Sequence, residues 1–131
     1  MKTILYVCVH NAGRSQMAAG FLNASGSTTL TAESAGTIPT EYVNPVVVEA
    51  MLEKHIDIGG AQPKMLTQGM ADAAYQVITM GCSIEEACPA TFMLTEDWGL
   101  NDPAGQPIEE VRRIRDQIEL KVNELIMRES N

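Results

Sequence analysis

The chain has 131 residues, a formal net charge of −8 and 45% hydrophobic residues, enough for one domain spanning 1–131 with its own core and no metal or disulfide staples. So acidic a chain repels nucleic acid and anionic membrane surfaces, which excludes both as expected partners. Three cysteines are an odd number. With no signal-peptide pattern and no apolar run of membrane length, they fit a cytoplasmic protein whose thiols do chemistry, not a disulfide framework.

In chain order, Thr3 to Val9 reads as a buried strand, because its run of branched and aromatic residues does not alternate with polar ones. Arg14 to Asn23 reads as a helix burying Met17, Ala18, Phe21 and Leu22, stopped by Ser25-Gly26-Ser27. Thr28 to Ser34 reads as a second strand, ended by Ala35-Gly36-Thr37. Asn44-Pro45 opens a second helix with a polar cap and proline at the first helical position, and its apolar stripe is Val47, Val48, Met51 and Leu52. A short helix within Leu66 to Ala74 precedes a third strand, Tyr75 to Met80, closed by Gly81, and Ala90 to Thr95 is the candidate fourth strand. Pro107 opens the last helix, where Val111, Ile114, Ile118, Val122 and Leu125 recur at three- and four-residue steps. Alternating strands and helices predict an α/β fold, a three-layer sandwich on a four-stranded parallel sheet. Ligands of such sheets bind beyond the carboxyl ends of the strands. Cys8, Cys82 and Asp102 all fall on that rim.

The run from Cys8 to Arg14 joins a strand to a helix, and Ser15 follows it. A helix N-terminus favours a thiolate, and amides of a short loop can cradle a tetrahedral anion. Val9, His10, Asn11, Ala12 and Gly13 are therefore candidate substrate-binding residues. Arg14 adds a two-pronged, permanently charged fork that lysine could not copy. Ser15 can donate its hydroxyl to the thiolate or simply cap the helix. Asn11 either ties the loop to its own backbone or is ordinary turn chemistry. His10 is available as a base, but a thiolate stabilised by the loop needs none, so it reads as a structural or surface residue. Asp102, fixed by Pro103, is the candidate general acid, with Glu96 and Asp97 as competitors.

Cys82 and Cys88 stand six residues apart. Along a regular helix that is a rise of about 9 Å, beyond the roughly 7 Å that a disulfide spans between Cα atoms. A bond between them needs the segment to bend or unwind. Two inert core cysteines remain the alternative. Zinc is the rival use of three thiols, but their spacing matches no usual structural site, so no metal is expected.

Taken together, CVHNAGRSQMA, SAGT at 34–37, NP at 44–45, ITMGC at 78–82, CP at 88–89 and DWGLNDPAG at 97–105 resemble thioredoxin-coupled arsenate reductases. That family is built on the low-molecular-weight tyrosine phosphatase fold. The resemblance implies that Cys8 attacks arsenate held by Arg14 and the loop amides, with phosphate or sulfate as analogues, while Asp102 protonates the departing oxygen. It implies that Cys82 then attacks the Cys8 sulfur and that Cys88 takes over the disulfide for thioredoxin. No cofactor is implied, and the expected state is a monomer. Some members hold potassium near the loop through Asn, Ser and acidic side chains. Here Asn11 and Ser34 match, but Ala19 and Lys64 fall where acids are expected; the Lys64 ammonium can do the cation's work, so no potassium dependence is expected. The runner-up is a phosphotyrosine phosphatase with incidental extra cysteines, in which Trp98 would hold the phenol ring. A redox-sensing binding protein is the third reading.

Overall fold

The computed structural model describes residues 1–81 and 95–129. Its elements run β1 (Lys2–Cys8), α1 (Arg14–Ala24), β2 (Leu30–Gly36), α2 (Pro45–Leu52), α3 (Gln68–Ala73), β3 (Gln76–Thr79), β4 (Thr95–Asp97) and α4 (Ile108–Glu129). The four strands are all parallel, in the order β2-β1-β3-β4. The α/β reading of the sequence and its four-stranded parallel sheet therefore hold. Central β1 ends at Cys8, in register with Gly36 at the end of β2.

The sheet is covered on both faces because β1 is apolar on both. Ile4 and Tyr6 join Met17, Leu22, Val47, Met51, Ile114 and Ile118 from α1, α2 and α4. Leu5, Val7, Ala35 and Val77 pack on the other face under Leu66, Met70 and Ala74, around α3. Alternation of side chains along a strand makes this division automatic.

Three expectations shift. The second strand begins at Leu30, not Thr28, because the Ser27 hydroxyl accepts from the N–H groups of Thr29 and Leu30 and holds 27–29 in a turn. It then continues to Gly36, whose N–H donates to Lys64 O (2.9 Å) and whose carbonyl accepts from Leu66 N–H (2.8 Å). In α2 the buried face is Val47, Ala50 and Met51, and Leu52 turns to solvent. Apart from Thr95, the expected fourth strand at Ala90–Thr95 lies outside the described residues, and the observed strand is Thr95–Asp97.

Helix α1 departs furthest from an amphipathic pattern. Arg14, Ser15 and Gln16 are buried along with its apolar residues. Buried polar groups of this kind persist only with partners: those of Ser15 and Gln16 lie between Cys8 and the helix, and those of Arg14 lie beyond β3 and β4.

Candidate active site

Between Cys8 and Arg14 the backbone carbonyls are all engaged. Val9 O accepts from Ile38 N–H, His10 O from Thr40 N–H, Ala12 O from Asn44 N–H and Gly13 O from Met17 N–H. Asn11 O accepts from the Gln16 carboxamide at 3.1 Å. In a trans peptide the C=O of one residue and the N–H of the next point in opposite directions. With these carbonyls held by the 38–44 segment and by α1, the N–H groups of residues 10–14 face the other way. None of the N–H groups of residues 9–16 donates to a backbone carbonyl among the described residues. A row of free N–H groups at the head of a helix is an anion cradle.

Local geometry explains the loop. Asn11 has φ 51°, the left-handed region that asparagine tolerates better than most residues. Gly36 lets the loop lie against the end of β2: a Cβ there would stand 2.6 Å from Val9 O and 2.9 Å from Asn11 N.

Cys8 sits at the end of β1, buried, with its Sγ 2.8 Å from Ser15 Oγ. Asn11 Nδ2 donates to the same Ser15 oxygen at 2.8 Å. The Asn11 Oδ1 accepts in turn from Lys64 N–H at 3.0 Å and from Gln16 Nε2 at 3.2 Å. Arg14 is also buried, and its Nη1 donates to Met80 O (2.9 Å) and Leu100 O (3.1 Å). Its Nη2 lies 3.9 Å from Asp102 Oδ2. The guanidinium thus ties together the chain beyond β3 and the loop beyond β4.

Among the competing carboxyls, Asp102 lines the same pocket as Cys8, His10, Ala12, Gly13 and Arg14, along with Pro103. Its Oδ1 accepts from Ala104 N–H and its side chain remains half exposed. Glu96 is committed elsewhere, accepting from Trp98 Nε1, Gln76 and Arg128. Burial pushes its carboxyl up, but those bonds and the Arg128 charge outweigh it and hold the group below the usual carboxylate range. Asp97 accepts from the Thr79 hydroxyl and from Gly81 N–H. Neither competitor lines the thiol pocket.

Two sequence expectations are corrected. Trp98 is buried against Tyr6, with ring centroids 5.4 Å apart, and cannot hold a substrate ring at the rim. Among the described residues, the exposed aromatic near the site is Tyr42. It lines a groove of about 520 Å³ that shares His10, Ala12, Asn44 and Ala104 with the thiol pocket. Its only sequence signal was its place two residues before the Asn44-Pro45 cap. The second correction is Lys64, whose ammonium pairs with Glu33 at 2.7 Å on the surface. Its backbone N–H is what meets Asn11. These side chains do not fit a potassium ion: Ala19 offers no side-chain oxygen, and two N–H donors already point at Asn11 Oδ1.

His10 bonds through Nδ1 to Ile38 O at 2.9 Å, which suits the structural reading. Cys82 and Cys88 lie outside the described residues, and so does the question of their disulfide geometry.

A thiol beside an N–H cradle, with a guanidinium tying its rim together, belongs to the class of cysteine-based α/β phosphatase folds. The profile of the low molecular weight phosphotyrosine protein phosphatases matches residues 3–130, and the chain belongs to that family. An arsenate reductase of Staphylococcus aureus is 36% identical over 123 residues, 92% of this chain and 93% of that protein. A solved arsenate reductase in its phosphate-binding state superposes with a TM-score of 0.85 at 35% identity, covering 98% of both chains. A thioredoxin-dependent arsenate reductase from Corynebacterium glutamicum gives 0.77 at 35% identity, over 95% of this chain and 60% of that one. An arginine phosphatase from Geobacillus stearothermophilus gives 0.86 at 26% identity, over 98% and 92%.

Proposed function

We propose that this chain reduces arsenate to arsenite through Cys8, Cys82 and Cys88, with thioredoxin returning the electrons. The Cys8 thiolate attacks arsenic(V); a sulfur–arsenic bond forms, an arsenic–oxygen bond breaks, and Asp102 supplies the proton with which that oxygen leaves as water. The Cys82 thiolate then attacks the Cys8 sulfur. The electron pair of the sulfur–arsenic bond passes to arsenic, which departs as arsenite, and a Cys8–Cys82 disulfide remains. Attack by Cys88 on Cys82 frees the Cys8 thiolate and moves the disulfide to Cys82–Cys88, which the thioredoxin dithiol reduces. The N–H row and Arg14 hold the oxyanion, and Ser15 donates to the thiolate. We also assign the protein to the cytoplasm as a monomer; among the described residues no helix is long and apolar enough to cross a membrane.

The observation that carries this reading is the bond from Arg14 to Met80 O. In the sequence, Cys82 follows Met80 by two residues. A second thiol two residues along the sequence from a carbonyl that Arg14 holds is a feature that hydrolysis would not require.

The test is arsenate-dependent NADPH oxidation with thioredoxin and thioredoxin reductase. Wild type should turn over, Cys82→Ser and Cys88→Ser should not, and Cys88→Ser should accumulate the Cys8–Cys82 disulfide. The Tyr42 groove favours a second reading, hydrolysis of an organic phosphomonoester. Strong aryl-phosphatase activity surviving in both mutants, with no arsenate turnover by wild type, would establish that reading instead.

A further inference from the structure

We propose that Gln16 is a positioning residue for Cys8: it fixes the direction of a buried hydrogen-bond chain, and so makes Ser15 a donor to the sulfur. The proposal rests on Cys8 being the nucleophile, but on no particular substrate.

The direction of the chain follows from its ends. A backbone N–H can only donate, so the Asn11 atom that faces Lys64 N–H at 3.0 Å is the carbonyl oxygen. Gln16 faces two oxygens of Asn11, the backbone carbonyl and Oδ1, so its amide nitrogen is turned toward both. With Oδ1 committed to these two donors, the Asn11 NH₂ group is left for Ser15 Oγ. A hydroxyl that accepts from Asn11 has its single proton free to give, and the remaining neighbour is Cys8 Sγ at 2.8 Å. Each member therefore sets the polarity of the next, and the last bond favours a charged sulfur.

Burial makes this direction consequential. Asn11 and Ser15 are fully buried, Gln16 is 5% exposed and Cys8 3%. Solvent is therefore kept from a reversed amide, and the reversal has a definite cost. It would set the Asn11 NH₂ against two other donors and its oxygen against Ser15, drawing the serine proton away from sulfur. The Lys64 amide belongs to the backbone, and short of proline no substitution alters it. Gln16 is the side chain through which the chain can be turned round. Its bond to the Asn11 carbonyl also secures the residue that holds φ 51°.

The decisive variant is Gln16→Glu, which presents acceptors where there were donors and so favours the reversed Asn11 amide. The assay is substrate-free alkylation by iodoacetamide across a pH series, with the Cys8 peptide followed by mass spectrometry. We expect Cys8 to alkylate about tenfold more slowly at pH 7 in Gln16→Glu, the size of one lost bond to a charged acceptor, with the whole profile moved to higher pH. Gln16→Met removes a donor without reversing the chain and should slow the reaction by no more than about threefold. A direct effect of the added charge is separated by a double-mutant cycle. In a Ser15→Ala background the further change to Glu should have less than about a twofold effect, since the chain is already cut. Asn11→Asp reverses the same bond from a different side chain and should match Gln16→Glu, which covers the case in which the glutamate variant does not fold. Equal slowing by Gln16→Glu with and without Ser15, or wild-type alkylation in both Gln16→Glu and Asn11→Asp, would overturn the proposal. Because no substrate is present, loss of arsenate turnover by wild type would refute the functional reading and leave this one standing.

Discussion

Gly36→Ala is the sharpest test of how the anion loop is supported. The new Cβ would lie 2.6 Å from Val9 O, 2.9 Å from Asn11 N and 3.1 Å from Asn11 Cβ. None of these atoms can move aside by a side-chain rotation. Ordinary contact begins near 3.4 Å, so the loop must retreat from the end of β2 by roughly 0.8 Å at its tightest point. Overpacking of this kind costs about 1–3 kcal/mol, which at roughly 4 °C per kcal/mol for a domain of this size lowers Tm by about 4–12 °C. The effect on function should exceed the effect on folding. Asn11 N belongs to the cradle itself, and a misplacement of about 1 Å can cost ~10²-fold in rate. Thermal melts, arsenate turnover and inhibition by phosphate should be measured on Gly36→Ala beside Gly60→Ala, whose Cβ meets nothing within 4 Å. Gly60→Ala should behave as wild type. Normal turnover and normal phosphate inhibition in Gly36→Ala would refute the idea that β2 sets the loop's position.

Three further outcomes follow from described contacts. Arg14→Lys should reduce turnover by about 10²-fold or more and also lower the melting temperature, because a point-charge ammonium lacks the planar fork that holds Met80 O and Leu100 O while facing an anion; turnover above a tenth of wild type would contradict this. Turnover in KCl and in NaCl should agree within about twofold, in wild type and in Lys64→Met alike, since backbone and carboxamide donors already hold Asn11. A potassium requirement appearing in Lys64→Met alone would restore the ammonium to that role. The exposed Glu53 carboxyl is held down to about 2 by hydrogen bonds from Arg112 and Arg115. A depressed carboxyl adds stability above its ordinary value of 4.5, and that contribution is lost as pH falls toward 2. Melting curves of wild type and Glu53→Gln should therefore converge between those limits, and parallel curves there would contradict the pairing.

The parts of the molecule that were legible in the sequence are those fixed by near neighbours. The strand before Cys8, the helix after Arg14 and the Asn44-Pro45 cap are all local signals, and the structure reproduces them within a residue or so. What escaped was set by contacts distant along the chain. Gln16 looks like one more helix-favouring residue until Asn11 folds back over it. Lys64 suggested its ammonium because side chains are what a sequence displays, whereas the operative group is a backbone N–H. Trp98 was misplaced at the rim for the same reason: the sequence shows that a residue is aromatic, but not whether a neighbour such as Tyr6 buries it.

A cradle whose carbonyls all turn away measures charge and tetrahedral shape and nothing else. Phosphate and arsenate share both, so such a loop admits the commoner anion as readily as the rarer one, and phosphate is its built-in competitor. Discrimination between the two then passes from equilibrium to kinetics. A sulfur–phosphorus bond awaits water, whereas a sulfur–arsenic bond can be resolved by a second thiol, because arsenic accepts the electron pair. On the proposed function, selectivity resides in which bound anion can leave by reduction.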